Sequence, residues 1–274
     1  MNLFVCVAIV AVSVAVGIAL MLFARTKAPD GSWFHDGDRA SGVFGVLATG
    51  FAVLLGLVVV LAFTSFDQSR SGAETEALVV SQQYETAQFL PREHRDDLSA
   101  ELVCYARYVV HQAWPRMQDG TQGDTANPWA VDMFKTTKQI EPQTNAEQTA
   151  YSKWIDQTSD REAARNDRVH GAVGVIPGPL WAVLLFSAAV IFWYMLLFAD
   201  SGEARFVQAT LMGSVVAVVV SSLLLINVLD QPFNKGVGGL KPVAMERTLR
   251  VLDQMQAIAP AGPLPCDAQG LPAS

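Results

Sequence analysis

Four long stretches of this sequence contain no Asp, Glu, Lys or Arg, and they constrain the fold more than any other feature. They span residues 1–23, 43–66, 171–199 and 206–229. A helix needs about 20 apolar residues to cross the hydrocarbon core of a bilayer. Each stretch is long enough, and none shows the alternation that a membrane β-strand requires. The sequence therefore predicts an all-α membrane protein with four transmembrane helices.

The first stretch could alternatively be a cleaved signal peptide. However, no basic residue precedes its apolar run, the run is long for a signal peptide, and no small-residue cleavage pattern ends it before Arg25. These features favour a first transmembrane helix.

The chain between the second and third spans is predicted to be water-exposed and helical. Residues 66–178 hold 11 Lys and Arg and 17 Asp and Glu. One apolar stripe at three- and four-residue steps predicts an amphipathic helix there, formed by Leu98, Leu102, Tyr105, Val109 and Ala113. Further helices are predicted over 129–140, 147–169 and 242–258.

These segments give a division of the chain into five parts. The parts are the first two transmembrane helices (1–66), a helical cytoplasmic segment (67–178), a transmembrane hairpin (179–229), a cytoplasmic C-terminal helix (230–258) and a tail (259–274). The tail is rich in Pro, Ala and Gly, which predicts disorder.

Basic residues near the span ends predict the orientation. Four crossings put both termini and the middle segment on one side, which carries eight Lys and Arg near the span ends against four on the other side. Because cytoplasmic flanks are enriched in Lys and Arg, we predict a multi-pass protein of the bacterial inner (plasma) membrane with both termini and the middle segment in the cytoplasm. Arg25 and Lys27, directly after the first span, favour the opposite orientation.

The sequence gives little support to an enzyme. The four histidines lie in different elements without ligand spacing, and no nucleophile, phosphate-loop or zinc-protease motif occurs. We predict no catalytic residue, no metal site and no cofactor. Cys6, Cys104 and Cys266 lie far apart, which predicts no disulfide framework. The formal net charge of -7 argues against a nucleic-acid partner.

The spans contain no carboxylate, Lys or His, the groups that coupled transporters and proton pumps usually hold inside the membrane. Passive permeation, scaffolding and sensing therefore stay open as functions. Four helices of one chain would form a solid bundle, so a pore would require several copies around a shared axis. The second span suits that axis because its helix is predicted to continue into the water-exposed segment.

Two short motifs resemble those of the bestrophins. In the second span, Leu55-Gly56-Leu57 is followed by Phe63, Phe66 and Arg70, where bestrophins have Leu-Gly-Phe, then aromatics, then an Arg in bacterial members. After the fourth span, Asp230-Gln231-Pro232-Phe233 matches a Pro-Phe-Gly turn that lies near an acidic residue.

More closely, the chain resembles the bestrophin-like membrane proteins of bacteria and plants, whose function is unknown. Shared features are Glu76-Ala77, the Leu90-Pro91 break, the segment from Tyr105 to Trp114 and the Pro-Leu-Trp opening of the third span.

Bestrophins are homopentameric ion channels whose second span lines the axis. The resemblance implies that this chain forms a homo-oligomer, a pentamer, within the lipid bilayer and conducts small inorganic ions. It places the hydrophobic neck at Thr49, Val53 and Leu57. The residues that carry the family motifs are Gly56, Phe63, Phe66, Arg70, Glu76, Pro232 and Phe233.

Two departures from the family change what the resemblance implies. Leu57 replaces an aromatic residue and Thr49 an aliphatic one, which predicts a wider or wetter neck. The acidic run that binds calcium in animal bestrophins is missing after Phe233, so we expect no calcium activation at this turn. The alternative function is a non-conducting scaffold or sensor whose helical segment binds a partner, for example through Trp114, Trp129 and Trp154.

Overall fold

The computed structural model describes residues 2–121, 126–258 and 262–273, and its regular elements there are helices. Their bounds are α1 Leu3–Lys27, α2 Gly37–Ala87, α3 Arg92–Tyr108, a π-helical turn Val109–Ala113, α4 Trp114–Gln118, α5 Pro128–Thr137, α6 Asn145–His170, α7 Gly178–Leu197, α8 Arg205–Asp230 and α9 Val243–Ile258. Of these, α1, α2, α7 and α8 are long and apolar enough to cross a membrane. The predicted all-α fold with four membrane-spanning helices is confirmed.

The chain divides into two compact units, which are described separately. Unit 1 comprises Met1–Thr64, Gly174–Asp230 and Lys235–Gly238, and unit 2 comprises Ser65–Val173, Gln231–Asn234 and Gly239–Ser274. Unit 1 therefore contains α1, the first half of α2, α7 and α8. Unit 2 contains the second half of α2, the helices α3 to α6, and α9.

Close packing of α1 against α8 organises unit 1. A Cβ atom on Gly17 would lie 2.7 Å from Cγ2 of Val216, so a larger residue would push the two helices apart. A second contact surface joins α2, α7 and α8 through Val58, Leu184 and Ile226, all buried. At the contact between α1 and α8, the small residue Gly17 allows the two backbones to approach closely, as is typical of helices that pack in membranes.

Two loops of unit 1 are joined by hydrogen bonds at one end of its helices. The Arg25 guanidinium donates to the carbonyl oxygens of Ser201 (2.7 Å) and Glu203 (2.6 Å). Asp200 Oδ1 accepts from the backbone N–H groups of Gly31 (3.1 Å) and Gly202 (2.7 Å). These backbone bonds lower the pKa of Asp200 below its ordinary value, so what they add to stability is lost as the pH falls through that lowered pKa.

The predicted amphipathic stripe forms the core of unit 2. Leu98, Leu102, Tyr105 and Val109 are buried, and Ala113 packs against them. The π-helical turn carries this stripe from α3 into α4 without a break. The 3.6-residue period therefore identified a core helix correctly.

Local capping sets the start of two helices in unit 2. The side chain of Asn127 accepts a hydrogen bond from Trp129 N (3.1 Å) and begins α5. Thr144 and Glu147 form a reciprocal capping box that begins α6 at Asn145, two residues before the predicted start. Such boxes satisfy backbone N–H groups that a helix start would otherwise leave without partners.

The C-terminal segment corrects two predictions. Cys104 and Cys266 form a disulfide with their Cα atoms 5.7 Å apart, so the prediction of no disulfide is wrong. Residues 262–273 are not disordered, because Trp129 Nε1 donates to Gly270 O (2.7 Å) and Arg107 Nη1 donates to Asp267 O (3.4 Å). The rest of the predicted tail, 259–261 and 274, lies outside the described residues. The cysteine pairing was not predicted because the two residues are 162 positions apart in the sequence.

Glu101 gives unit 2 a stability that depends on pH. It is 9% exposed on α3, accepts a hydrogen bond from Thr136 Oγ1 (3.0 Å), and has no partner for Oε2 in the described part of the chain. Burial raises the pKa of Glu101 from 4.5 to about 7, and the hydrogen bond from Thr136 opposes this rise. The folded state thus binds a proton more tightly than the unfolded state, and stability falls as the pH rises between these two values.

We expect Glu101→Gln to remove this dependence. Allowing for partial solvent access, the variant should be more stable than the parent by about 2 kcal/mol at pH 8 and by much less at pH 5. Thermal unfolding of the detergent-solubilised protein at both pH values measures the difference. The exposed Glu85→Gln on α2 is the control and should shift stability little at either pH. A constant offset for Glu101→Gln across this range would contradict the prediction.

Candidate functional site

One face of α2 within unit 1 is exposed along its whole length. Thr49, Val53 and Leu57 lie on it at four-residue steps, and Val53 and Leu57 are 59% and 65% exposed. The opposite edge of the helix carries Phe51 and Val58, which are buried. We call the exposed side the open face of α2, formed by Val46, Thr49, Val53, Gly56, Leu57 and Val60.

The open face is apolar. A Cβ atom added to Gly42, Gly45 or Gly56 would meet nothing within 4 Å among the described residues. The hydroxyl of Thr49 is the single side-chain polar group on the face as defined above. Phe63, further along α2, is also exposed, at 55%. Such a surface, with one hydroxyl and no charged side chain, suits contact with lipid or with another apolar helix.

The remaining motif residues of α2 lie in unit 2. Phe66 is half-buried, and Arg70 forms an exposed ion pair with Glu74 (3.0 Å) one turn further on. Exposed pairs of this kind contribute little, about 0.3–0.5 kcal/mol. Arg70 is therefore available to other contacts at small cost.

Glu76 is the centre of a buried ionic cluster in unit 2. Its Oε1 accepts from the hydroxyl of Tyr105 (2.6 Å) and from Nη2 of Arg168 (3.1 Å), and its Oε2 accepts from Nε of Arg168. The side chains of Glu76 and Arg168 are 0% and 2% exposed. The sequence marked Glu76 and Tyr105, but nothing in it distinguished Arg168 from the other charged residues of α6.

This cluster fixes the protonation of its members. Burial alone would lower the pKa of Arg168, but the charge and hydrogen bonds of Glu76 outweigh it, and the pKa is raised. Burial, and then the charge of Glu76, raises the pKa of Tyr105. Arg168 thus stays charged and Tyr105 stays a hydrogen-bond donor.

Gly72 brings α2 and α6 close enough for the cluster to form. A Cβ atom at this position would lie 2.5 Å from the backbone N of Arg168 and 2.8 Å from Ala164 O. No side chain can be accommodated between the two backbones at this point. The glycine, one turn before Glu76, therefore belongs to the same arrangement.

The Pro-Phe turn after α8 also has a structural role in unit 2. Phe233 is 2% exposed and its ring packs edge-on against Trp114, with 5.2 Å between the ring centroids. Pro232 O accepts from Leu240 N (2.7 Å), and Trp114 Nε1 donates to Leu240 O (3.3 Å). The turn is thus anchored to the end of the π-helical segment.

Asp230, the acidic residue of the same motif, ends α8 within unit 1. Its Oδ1 accepts from the backbone N–H groups of Val175 (2.8 Å) and Ile176 (2.9 Å), just before α7. The side chain is 8% exposed, so these bonds replace water. Asp230 therefore fixes the position of the chain where it enters α7.

Among the described residues, no group of three His, Cys, Asp or Glu side chains is placed to hold a metal ion.

The three tryptophans proposed as a partner-binding surface are in the core. Trp114, Trp129 and Trp154 are 2%, 4% and 0% exposed. Trp154 Nε1 donates to Thr137 Oγ1 (2.8 Å), which satisfies its polar atom. These side chains stabilise unit 2 and offer no exposed surface to a partner.

The chain is similar to bestrophin homologues in sequence pattern and in fold. The sequence pattern of the Bestrophin-like domain matches residues 6–244. A crystal structure of a bacterial bestrophin homologue from Klebsiella pneumoniae superposes with a TM-score of 0.68 at 13% identity, covering 90% of this chain and 98% of that chain. A single-residue variant of the same homologue gives a TM-score of 0.70 at 14% identity, covering 90% and 99%. No curated protein sequence matches.

Proposed function

The chain belongs to the Bestrophin-like domain family, and on this premise we propose that it is a pentameric ion channel whose neck is lined by α2. The neck would be ringed by Thr49, Val53 and Leu57 from each subunit. Small inorganic ions would pass along the shared axis, and no catalytic step is involved.

The open face of α2 is the observation that carries this proposal. It is an apolar helix face that includes Gly56, with Gly42 and Gly45 nearer the start of α2, and it has no packing partner among the described residues of the chain. Small residues at regular steps are typical of helices that approach each other in membranes, and a lipid-facing helix has no need of them. Copies of α2 around an axis would use this face.

The chemistry of the proposed neck suits a hydrophobic constriction. Two apolar rings of Val53 and Leu57 beside one hydroxyl ring of Thr49 would bind ions weakly, and such a constriction gates by excluding water. Thr49 would keep one end of the neck hydrated. The apolar rings would form the barrier to permeation, and the absence of a charged side chain from the three positions favours weak selectivity.

Leu57→Ala tests the neck. If Leu57 forms the narrowest apolar ring, its truncation should raise ion flux through reconstituted vesicles severalfold, because water enters a wider constriction more readily. Leu185→Ala on α7, a residue of similar exposure (55%) outside the open face, is the matched control and should leave flux unchanged.

Particle size gives an independent test of assembly. Electron microscopy of the detergent-solubilised protein should show rings with five-fold symmetry. A monomer or dimer in mild detergent would contradict the channel proposal. Vesicles without ion flux for both the parent protein and Leu57→Ala would also contradict it. A closed dimer would instead favour the scaffold.

The orientation proposed with the channel puts unit 2 and both termini in the cytoplasm of a bacterial inner membrane. The excess of Lys and Arg on that side supports it. Protease added to sealed right-side-out vesicles should then leave the segment from 66 to 173 intact.

A further inference from the structure

Arg161 on α6 is a buried cation with no counter-charge among the described residues. Its side chain is 1% exposed, Nη1 donates to Gln83 Oε1 (2.7 Å), and the guanidinium lies 4.9 Å over the ring of Tyr105. Nε and Nη2 make no hydrogen bond to any described residue, and no described carboxylate lies within ion-pair distance. Arg168 lies two turns further along the same helix. Glu76 supplies it with both a counter-charge and hydrogen-bond acceptors.

A buried guanidinium with two free donors calls for an anion. Buried charges in proteins are normally paired, because removal of water from an isolated ion is very costly. The neutral amide of Gln83 and the ring face of Tyr105 do not compensate a full charge. The unused donors therefore indicate that something else binds beside them.

Arg161 lines an open pocket within unit 2 that could hold such a ligand. The pocket has a volume of about 270 Å³ and its polar wall includes Arg161, Arg165, Asn127 and Asn166. Arg165 is half-buried and likewise forms no ion pair in the described part of the chain. Of the described lining residues, only Glu162 is acidic, and it is exposed. The lining is thus net positive by one charge.

The pocket also has an apolar part to its lining. Ala130, Val131 and Phe134 of α5 line it together with the two arginines. An inorganic anion would use only the cationic wall, whereas a molecule with a charged end and an apolar body would use both. The guanidinium fork matches the two oxygens of a carboxylate in particular. We propose that this pocket binds a small organic monocarboxylate.

This site is independent of the proposed channel. It lies entirely in unit 2 and involves no residue of the open face of α2. Failure to bind a carboxylate would leave the channel proposal unaffected, and absence of ion flux would leave this binding proposal unaffected.

Benzoate is a suitable probe, with benzyl alcohol as its neutral counterpart. Calorimetry on the full chain in detergent, corrected with empty micelles, should show saturable binding of benzoate and none of benzyl alcohol. Sodium phosphate and chloride form the inorganic arm, and both should bind much more weakly than benzoate. Equal binding of the acid and the alcohol, or binding of phosphate or chloride without benzoate, would overturn the proposal.

Two substitutions on α6 locate the site. Arg165→Gln removes one charge from a half-buried position. It should lower the affinity for benzoate at least about tenfold, the usual effect of losing one charge-assisted hydrogen bond. Lys153→Gln makes the same charge change at an exposed position outside the pocket and should leave the affinity unchanged. Arg165→Gln is chosen because Arg161 also supports the core. Unchanged affinity in Arg165→Gln, or an equal loss in both variants, would refute the site.

Discussion

Glu76→Gln is expected to be among the most damaging single substitutions in this protein. The change keeps the shape of the side chain but removes the charge that faces Arg168, which is 2% exposed. Breaking a buried pair by removing one partner costs about 3–5 kcal/mol, because the other charge stays buried alone. For a domain of this size we expect the unfolding midpoint to fall by roughly 10 °C.

The neighbouring Glu74→Gln is the matched control. It makes the same chemical change on the same helix, at a carboxylate that is 60% exposed and paired with Arg70. Loss of an exposed pair should cost no more than about 1 kcal/mol. Thermal unfolding followed by circular dichroism measures both variants. Similar midpoints for the two would show that the buried cluster does not stabilise unit 2 in the way described.

The second large effect is expected from the Cys104–Cys266 disulfide. The bond spans 162 residues. Closing a loop of this length lowers the conformational entropy of the unfolded chain, which stabilises the folded state by about 5 kcal/mol. The double variant Cys104→Ala, Cys266→Ala should unfold at a lower temperature. It should also release the segment 262–273, so that Trp129, now 4% exposed and bonded to Gly270, becomes accessible to water.

Tryptophan fluorescence and limited proteolysis measure that release. The emission of the double variant should shift to the red, and protease should remove its C-terminal segment first. Cys6→Ala, at the free cysteine of α1, controls for the loss of a thiol and should behave as the parent protein. A double variant with parental stability and an intact C-terminus would contradict the role given to the disulfide.

Much of the fold could be predicted from the sequence because its determinants are local. The charge-free stretches identified α1, α2, α7 and α8, and the stripe from Leu98 to Val109 identified a core helix. The start of α6 depends on its neighbours Thr144 and Glu147, and it was predicted to within two residues. The start of α2 at Gly37 lies well before the charge-free stretch that identified this helix.

The relations that could not be predicted join distant residues. Glu76 and Arg168 are 92 positions apart, and each looks like an ordinary surface charge when its sequence neighbours alone are considered. The sequence likewise could not show that Arg161 is buried without a carboxylate within ion-pair distance among the described residues. For Thr49, Val53 and Leu57 the structure gives a common exposed face, and their place around an axis stays a prediction.

The Cys104–Cys266 bond makes membrane sidedness measurable by a simple chemical assay. Disulfides persist in the periplasm and are rare in the cytosol, where glutathione and thioredoxin keep thiols reduced. Whole cells quenched with acid and then alkylated would preserve the native redox state of the pair. A blocked, oxidised pair would indicate that unit 2 faces the periplasm, and two alkylated thiols would agree with the cytosolic placement that the Lys and Arg distribution favours.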